Sequence, residues 1–178
     1  MNKRPATAAK AVCLVGICAG SLECVKLALA FIPNVEAVTL LHALFGYAFG
    51  IYGVIASLVF VSIEPLIFGF GSWVISYYLY WPLFAALFML LGKMKINGRT
   101  VPTILAALCT LWFGVLTSLV EVGLFSGYFD NFLWRFGVYY LRGLPFYITQ
   151  LITNVILFPL LFPYLSGKLE GLYKSFLK

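Results

Sequence analysis

The few acidic residues carry the main chemical signal of this sequence, because they stand among long apolar runs. Glu23 lies one helical turn before Lys26, Glu64 is followed by a proline, and Glu36 and Glu121 lie at the edges of apolar segments. A charge inside a membrane costs at least about 2.5–3.5 kcal/mol near the centre, so such residues mark function or pairing. Glu23 and Lys26 could simply pair with each other at their i, i+3 spacing. For Glu36 and Glu64 a binding role is an equal alternative to a structural one.

Neutral polar and aromatic side chains suggest a lining for the same site. Tyr147, Gln150 and Asn154 share one face of a helix at i, i+3 and i+7. Asn154 could equally form a hydrogen bond between helices. Trp73 and Tyr77 belong to a cluster of aromatic residues that is typical of interfacial anchoring, although one or two of them could stack on a flat ligand.

Signatures of catalysis are missing from the sequence. It contains no HExxH, no GxSxG and no Walker A loop. His42 has no partner at the spacing of metal ligands, and we interpret it as a structural polar group. The four cysteines form no CxxC pair and lie in apolar runs, which favours buried small residues. We therefore expect no enzymatic activity in this chain, no metal and no cofactor.

The composition explains what surrounds these residues. Of 178 residues, 63% are hydrophobic and 10% are charged, whereas an ordinary soluble domain is about 45–50% apolar and about 25% charged. A chain of this length could not hide so much apolar surface from water. This excludes a soluble enzyme, a nucleic-acid binder and a secreted disulfide scaffold, and it predicts an integral membrane protein.

Hydrophobic length predicts where the chain crosses the membrane. Four spans, about 11–32, 74–92, 101–123 and 143–165, approach the roughly 20 residues that a crossing helix needs. The stretch 35–71 is long enough for one span or for two short ones.

Basic residues decide between these possibilities, since positive charge favours the cytoplasmic side. Nine of the twelve lysines and arginines fall in three groups, and an even number of crossings must separate each pair of groups. The groups are Lys3, Arg4 and Lys10; Lys93, Lys95 and Arg99; and Lys168, Lys174 and Lys178. We therefore predict six transmembrane helices with both termini inside, 35–71 forming helices 35–50 and 53–69 hinged near Gly50–Gly53. A re-entrant hairpin over 35–71 keeps the same parity and is the main alternative.

This topology places the polar residues at one level, towards the outside. The inner halves of the helices are almost wholly apolar. This favours an outward-opening polar cavity rather than a channel, which would need polar residues through the inner half as well. The connection 124–142, rich in aromatic residues, would lie at the outer interface and cover the cavity as a lid. The residues predicted to bind the ligand are Asn34, Glu36, Glu64, Trp73, Tyr77, Glu121, Trp134, Arg135, Tyr147, Gln150 and Asn154.

Small residues follow one face of the first helix. Gly16 and Gly20, with Cys13 and Cys24, would let another helix approach closely in lipid. The sequence leaves open whether that helix belongs to this chain or to a partner.

Together these features resemble the substrate-binding S component of an energy-coupling factor (ECF) transporter, in a subgroup of unassigned substrate. The likeness is concentrated in three segments, Phe31–Leu41, Glu64–Trp73 and Tyr77–Pro82. They read FIPNVEAVTLL, EPLIFGFGSW and YYLYWP. The family's AxxxA signature on helix 1 is absent, because Ala8 and Ala9 lack an alanine four residues on, and Gly16-x-x-x-Gly20 is the candidate replacement.

The resemblance implies a subunit of the bacterial cell membrane that captures a vitamin or related micronutrient from outside. It implies docking on a transmembrane coupling subunit driven by two cytoplasmic ATPases. A non-transport membrane protein, either an intramembrane enzyme or an assembly factor, is the alternative. The carboxylates and aromatic residues favour a flat ligand with cationic or hydrogen-bond-donor groups, such as a nitrogen heterocycle.

Overall fold

The computed structural model of the protein describes residues 7–32, 37–127 and 130–176, and these residues form helices and connections without a strand. In chain order the helices are α1 (Ala8–Leu29), α2 (Val38–Phe49), α3 (Ile51–Phe68), α4 (Trp73–Lys93), α5 (Thr100–Val120) and α6 (Phe132–Phe176). A π-helical turn, Glu121–Phe125, extends α5.

Five of these helices are long and apolar enough to cross a membrane, and α2 is a shorter apolar helix. Large apolar side chains cover the outside of the bundle: Leu66, Leu83 and Leu160 are each more than half exposed. In water such a surface would be costly, whereas lipid solvates it. The chain is therefore an all-helical, multi-pass membrane protein.

Helix α2 is the centre of the bundle. All of its 12 residues except Leu41 are buried, because α1, α3, α4 and α6 pack around it. A Cβ atom on Gly46 would overlap the backbone of Ala85 in α4, and one on Gly53 of α3 would overlap the backbone of Phe45. These glycines therefore allow backbones to come close on two sides of α2.

The predicted hinge between the second and third helices is present, and it is shorter than expected. Gly50 alone joins α2 to α3, with a φ of 63° that favours glycine. Twelve residues of α-helix extend about 18 Å, well short of the hydrocarbon thickness of about 30 Å. Helix α2 by itself is thus too short to cross the membrane.

Helix α6 departs most from the sequence prediction. It begins at Phe132, so most of the segment assigned to an outer connection is helical, and it runs for 45 residues. Phe132, Phe136 and Tyr140 stack along it at i, i+4 spacing, with ring centroids 6.0 Å and 6.1 Å apart. The aromatic residues that suggested a loop at the interface therefore form a ladder on one helix face.

Contacts between helices define two ends of the bundle. At the polar end, α1, α3 and α5 finish and α2 and α4 begin: Lys26 of α1 meets Glu64 of α3 there. At the basic end, the Lys10 ammonium donates to the carbonyl oxygen of Phe176 at 2.7 Å. Between the two ends lies a core of packed aromatic rings, in which Phe88 contacts Phe158 and Phe162 at 5.8 Å and 5.5 Å.

Candidate ligand-binding site

A buried ion pair occupies the polar end. The Lys26 ammonium donates to the Glu64 carboxylate, which is fully buried, while about a fifth of the Lys26 side chain is exposed. Three aromatic rings surround the ammonium nitrogen, with centroids at 4.8 Å (Phe68), 5.1 Å (Tyr77) and 5.7 Å (Phe60). Cation–π attraction adds to the ion pair in such a desolvated setting. The pair thus fixes the last turn of α1 against α3 and α4.

A second carboxylate lies beside this pair. Glu23 precedes Lys26 by one helical turn, is 8% exposed, and interacts electrostatically with both Lys26 and Glu64. Both oxygens of Glu23 and Oε1 of Glu64 have no hydrogen-bond partner among the described residues. Carboxyl oxygens without a partner are acceptors, so the cluster is suited to a hydrogen-bond-donating group.

His42 borders the same cluster from α2. It is fully buried, stacks on Trp81 with centroids 4.3 Å apart, and meets the edge of Phe60 at 5.1 Å. Its Nδ1 lies 3.0 Å from the carbonyl oxygen of Val38. Because a carbonyl only accepts, Nδ1 carries the hydrogen, and in the neutral ring Nε2 is an acceptor.

Further buried polar atoms on α2 and α4 have no hydrogen-bond partner in the described part of the chain. They are His42 Nε2, Ser76 Oγ and Trp81 Nε1. Buried polar groups are normally paired, so a cluster of unpaired ones requires an explanation. Donors and acceptors occur together here, which is the arrangement needed to orient a small polar molecule. We name the cluster Glu23, Lys26, His42, Glu64, Ser76 and Trp81 the polar cluster.

Helices α5 and α6 contribute a separate polar seam. Asn154 Nδ2 donates to Thr110 Oγ1 at 2.9 Å, and Gln150 Nε2 lies 3.4 Å from Thr39 Oγ1. The hydroxyl of Tyr147 lies 3.2 Å from that of Thr117. All three α6 residues are buried, as the predicted helix face requires. Asn154 forms the hydrogen bond between helices that was one of its two interpretations.

Trp134 and Arg135 line a small cavity of about 210 Å³ beside the π-helical turn. Tyr139 and Arg142 complete its wall on α6. The Arg135 guanidinium packs against Gly127 and lies 3.4 Å from the carbonyl oxygen of Asp130. Trp134 and Arg135 therefore lie on a helix, whereas the sequence predicted them in a loop; their role as a lid stays a prediction.

The predicted residues fall into separate groups. Glu64 and Tyr77 belong to or touch the polar cluster, and Trp73 meets Tyr77 edge-on at 5.0 Å. Glu121 opens the π-helical turn, where its backbone oxygen accepts from Ser126. Asn34 and Glu36 lie outside the described residues.

Of the six members of the cluster, only Glu64 was predicted from the sequence as a ligand-binding residue. Glu23 and Lys26 were interpreted as a possible local pair, His42 was taken as structural, Ser76 was not considered, and Trp81 was grouped with membrane anchors. The signal was available for Trp81 and Ser76: with Tyr77 and Tyr80 they form successive turns of α4, whose buried face includes Ser76, Tyr80 and Trp81. For His42 the sequence contained no such signal, because its ring partners lie on other helices.

The small-residue face of α1 does not pack within the chain. Gly16 and Gly20 are exposed, and a Cβ on either would meet nothing within 4 Å. Cys13 and Cys24, on the same face, are exposed as well. Of the two interpretations, internal packing against the described residues is therefore wrong.

Comparison with known proteins adds no identification: no family model matches the chain, and neither curated proteins nor solved structures give a match.

Proposed function

We propose that this chain is the solute-binding membrane subunit of an uptake system of the ECF type. In this proposal it captures a vitamin or related micronutrient from outside a bacterial cell and docks on an ATP-driven coupling module. The observation that carries the proposal is the polar cluster, in which charged and unpaired polar atoms from four helices are buried together at one end of an apolar bundle.

A purely structural role explains the cluster poorly. Each buried ion has a desolvation cost of several kcal/mol, and replacing a buried pair with apolar side chains is often neutral or stabilising. A bundle in lipid is held together by packing and needs no such pair. A ligand that forms the missing hydrogen bonds would compensate for the cost of burying these side chains.

The rest of the bundle favours binding over conduction. Below the polar cluster the core consists of aromatic rings, and Phe84, Phe88, Phe158 and Phe162 are each essentially fully buried. A channel would need polar groups or water along its whole length. A solute bound at the polar end would therefore need a movement of the whole subunit, or of its helices, to reach the other side.

The exposed face of α1 is where we propose that the coupling subunit docks. Gly16 and Gly20 present a surface without side chains, on which a partner helix could lie closely. In this proposal two cytoplasmic ATPases drive the coupling subunit, and the chain itself performs no catalysis.

Native mass spectrometry of the protein purified from cells tests the proposed function. We expect a small molecule that stays bound to the wild type and to Glu170→Gln, a variant at the basic end, but not to Glu64→Gln. A molecule retained equally by all three would move the site away from the polar cluster. Retention of nothing, together with no ATPase subunits in the purified sample, would contradict the proposal.

Docking is tested separately by replacing Gly16 or Gly20 with leucine. Since a side chain there meets nothing within the described chain, we expect each variant to fold and to bind the solute normally. Co-purification of the coupling subunit should fall, because leucine blocks close approach of helices. Unchanged co-purification would place the docking surface elsewhere.

A further inference from the structure

A second cavity, larger than the one beside the π-helical turn, lies at the basic end of the bundle, away from the polar cluster. Its volume is about 860 Å³, and it opens where α2 turns into α3, between the end of α4 and the last turns of α6. Tyr47, Tyr52 and Tyr173 form much of its wall. Neither the sequence prediction nor the proposed solute site accounts for it.

Charge distinguishes this cavity from an ordinary gap between helices. Lys93, Lys95 and Lys174 line it, against the single carboxylate of Glu170. All three lysines are exposed, and none of them is in an ion pair within the described residues. An anion would therefore be attracted to the cavity mouth.

The position of the mouth relative to the membrane indicates the kind of anion. Helix α4 has 21 residues and ends at Lys93. At 1.5 Å per residue it extends about 31 Å, nearly the hydrocarbon thickness of about 30 Å. If Trp73 stands at one boundary of the hydrocarbon, Lys93 and Lys95 stand at the level of the lipid headgroups on the other.

Apolar surface continues from the cavity into the region of the acyl chains. Ile51 and Met89 line the cavity itself. Leu90, one turn before Lys93 on α4, is 48% exposed. A molecule with a phosphate at the lysines and hydrocarbon along these side chains would satisfy both parts of the surface.

We propose that this cavity binds an anionic phospholipid, whose phosphodiester lies among Lys93, Lys95 and Lys174 and whose glycerol and upper acyl chains contact the apolar wall. Basic pockets between transmembrane helices bind anionic headgroups in this manner. The hydroxyls of Tyr47 and Tyr52 offer further donors to phosphate oxygens. The site is independent of the solute site at the polar end.

Titration with defined lipids tests the assignment. The detergent-solubilised full chain is titrated with phosphatidylglycerol, or with phosphatidylcholine of the same acyl chains, and bound lipid is counted by native mass spectrometry. We expect phosphatidylglycerol to bind at least about tenfold more tightly. Equal binding of the two lipids would overturn the proposal.

A pair of charge-matched variants locates the site. Lys95→Gln with Lys174→Gln removes two lysines from the cavity, whereas Arg99→Gln with Lys168→Gln removes two exposed cations that do not line it. Each lysine near an anionic headgroup changes affinity by about fivefold, so the first variant should lose about 30-fold and the second less than about twofold. Equal losses would mean a diffuse charge effect and would overturn the site.

Inorganic phosphate separates a lipid site from a site for small anions. We expect millimolar phosphate to leave bound phosphatidylglycerol unchanged, because phosphate lacks the acyl contacts. Displacement of the lipid by phosphate, with the same loss in the cavity variant, would assign the cavity to a soluble phosphate and overturn the lipid assignment.

Discussion

Lysine behaves in opposite ways at the two ends of this bundle. At the polar end Lys26 is largely buried, paired with Glu64 and surrounded by aromatic rings. At the basic end Lys93 and Lys174 are exposed around a cavity, without an ion pair in the described chain. The same side chain is thus a fixed part of the fold at one end and an adaptable surface charge at the other.

This difference teaches which charges the fold depends on. Breaking a buried pair leaves a charge without compensation in a medium of low dielectric constant, whereas an exposed charge keeps its water. Buried charges should therefore control stability and the choice of ligand. Exposed charges should control orientation in the membrane and the choice of lipid.

The all-or-none test of this comparison is whether the two ends face opposite sides of the membrane. In a variant with all four native cysteines replaced by alanine, a cysteine at Lys95 should react with an impermeant maleimide only from the cytoplasm. A cysteine at Asn131 should react only from outside, as the positive-inside rule requires. Labelling of both positions from one side would end the six-helix topology.

Removal of one lysine at each end gives the next largest effect. Lys26→Met leaves two buried carboxylates without their cation, so the free energy of unfolding should fall by about 3–5 kcal/mol. Lys93→Met should change it by less than about 0.5 kcal/mol, as is usual for exposed positions. Unfolding in mixed detergent micelles measures both variants.

A double-mutant cycle sharpens this prediction. Adding Glu64→Gln to Lys26→Met removes one of the two unpaired carboxylates, so the double variant should recover part of the lost stability. Strict additivity of the two substitutions would mean that Lys26 and Glu64 do not stabilise one another.

Glutamate-to-glutamine substitutions test solute binding rather than the stability of the fold. A charge-assisted hydrogen bond contributes about 1.5–3 kcal/mol, so Glu64→Gln should weaken solute binding by roughly 10- to 150-fold. Glu36→Gln, outside the described residues, should cost at least about tenfold for the same reason. Glu170→Gln at the basic end serves as the control, and calorimetric titration measures all three. Near-native affinity in the Glu64 and Glu36 variants would leave these carboxylates as structural pairs.

Substitution of the neutral residues predicted to bind the solute should weaken binding least. Gln150→Leu and Asn34→Leu each remove a neutral hydrogen bond, which contributes about 0.5–1.5 kcal/mol, so affinity should fall by roughly two- to tenfold. Thr39→Val is the control for Gln150, because it removes the neighbouring hydroxyl and leaves the amide in place. If both substitutions cost the same, Gln150 acts only by bracing α6 against α2.

Hydrophobic length and charge parity were sufficient for much of the fold. They predicted α1, α4 and α5 within a few residues, and parity required that 35–71 be divided in two. The division occurs at Gly50, inside the predicted hinge. These features depend on local sequence and on the membrane alone, which is why they could be predicted.

Features that depend on neighbouring helices could not be predicted. Lys26 had a possible partner three residues away in Glu23, and only the packing of α1 against α3 selects Glu64, 38 residues further on. The start of α6 was missed because Arg135 and Arg142 interrupt the apolar run there, so the span was taken to begin at residue 143. The i, i+4 spacing of Phe132, Phe136 and Tyr140 was the helical signal available there.

The burial of α2 also sets an order of assembly. Its neighbours α4 and α6 are synthesised after it, and the contact between Thr39 and Gln150 joins residues 111 positions apart. Until those helices arrive, His42 and Thr39 lack the surroundings that bury them, so α2 and α3 must wait as a hairpin that turns at Gly50 and carries these polar side chains towards its open end. Because such long-range contacts form slowly, α6, which follows the other described helices in the chain, completes the burial of α2, and a chain truncated before α6 would leave its central helix without one wall.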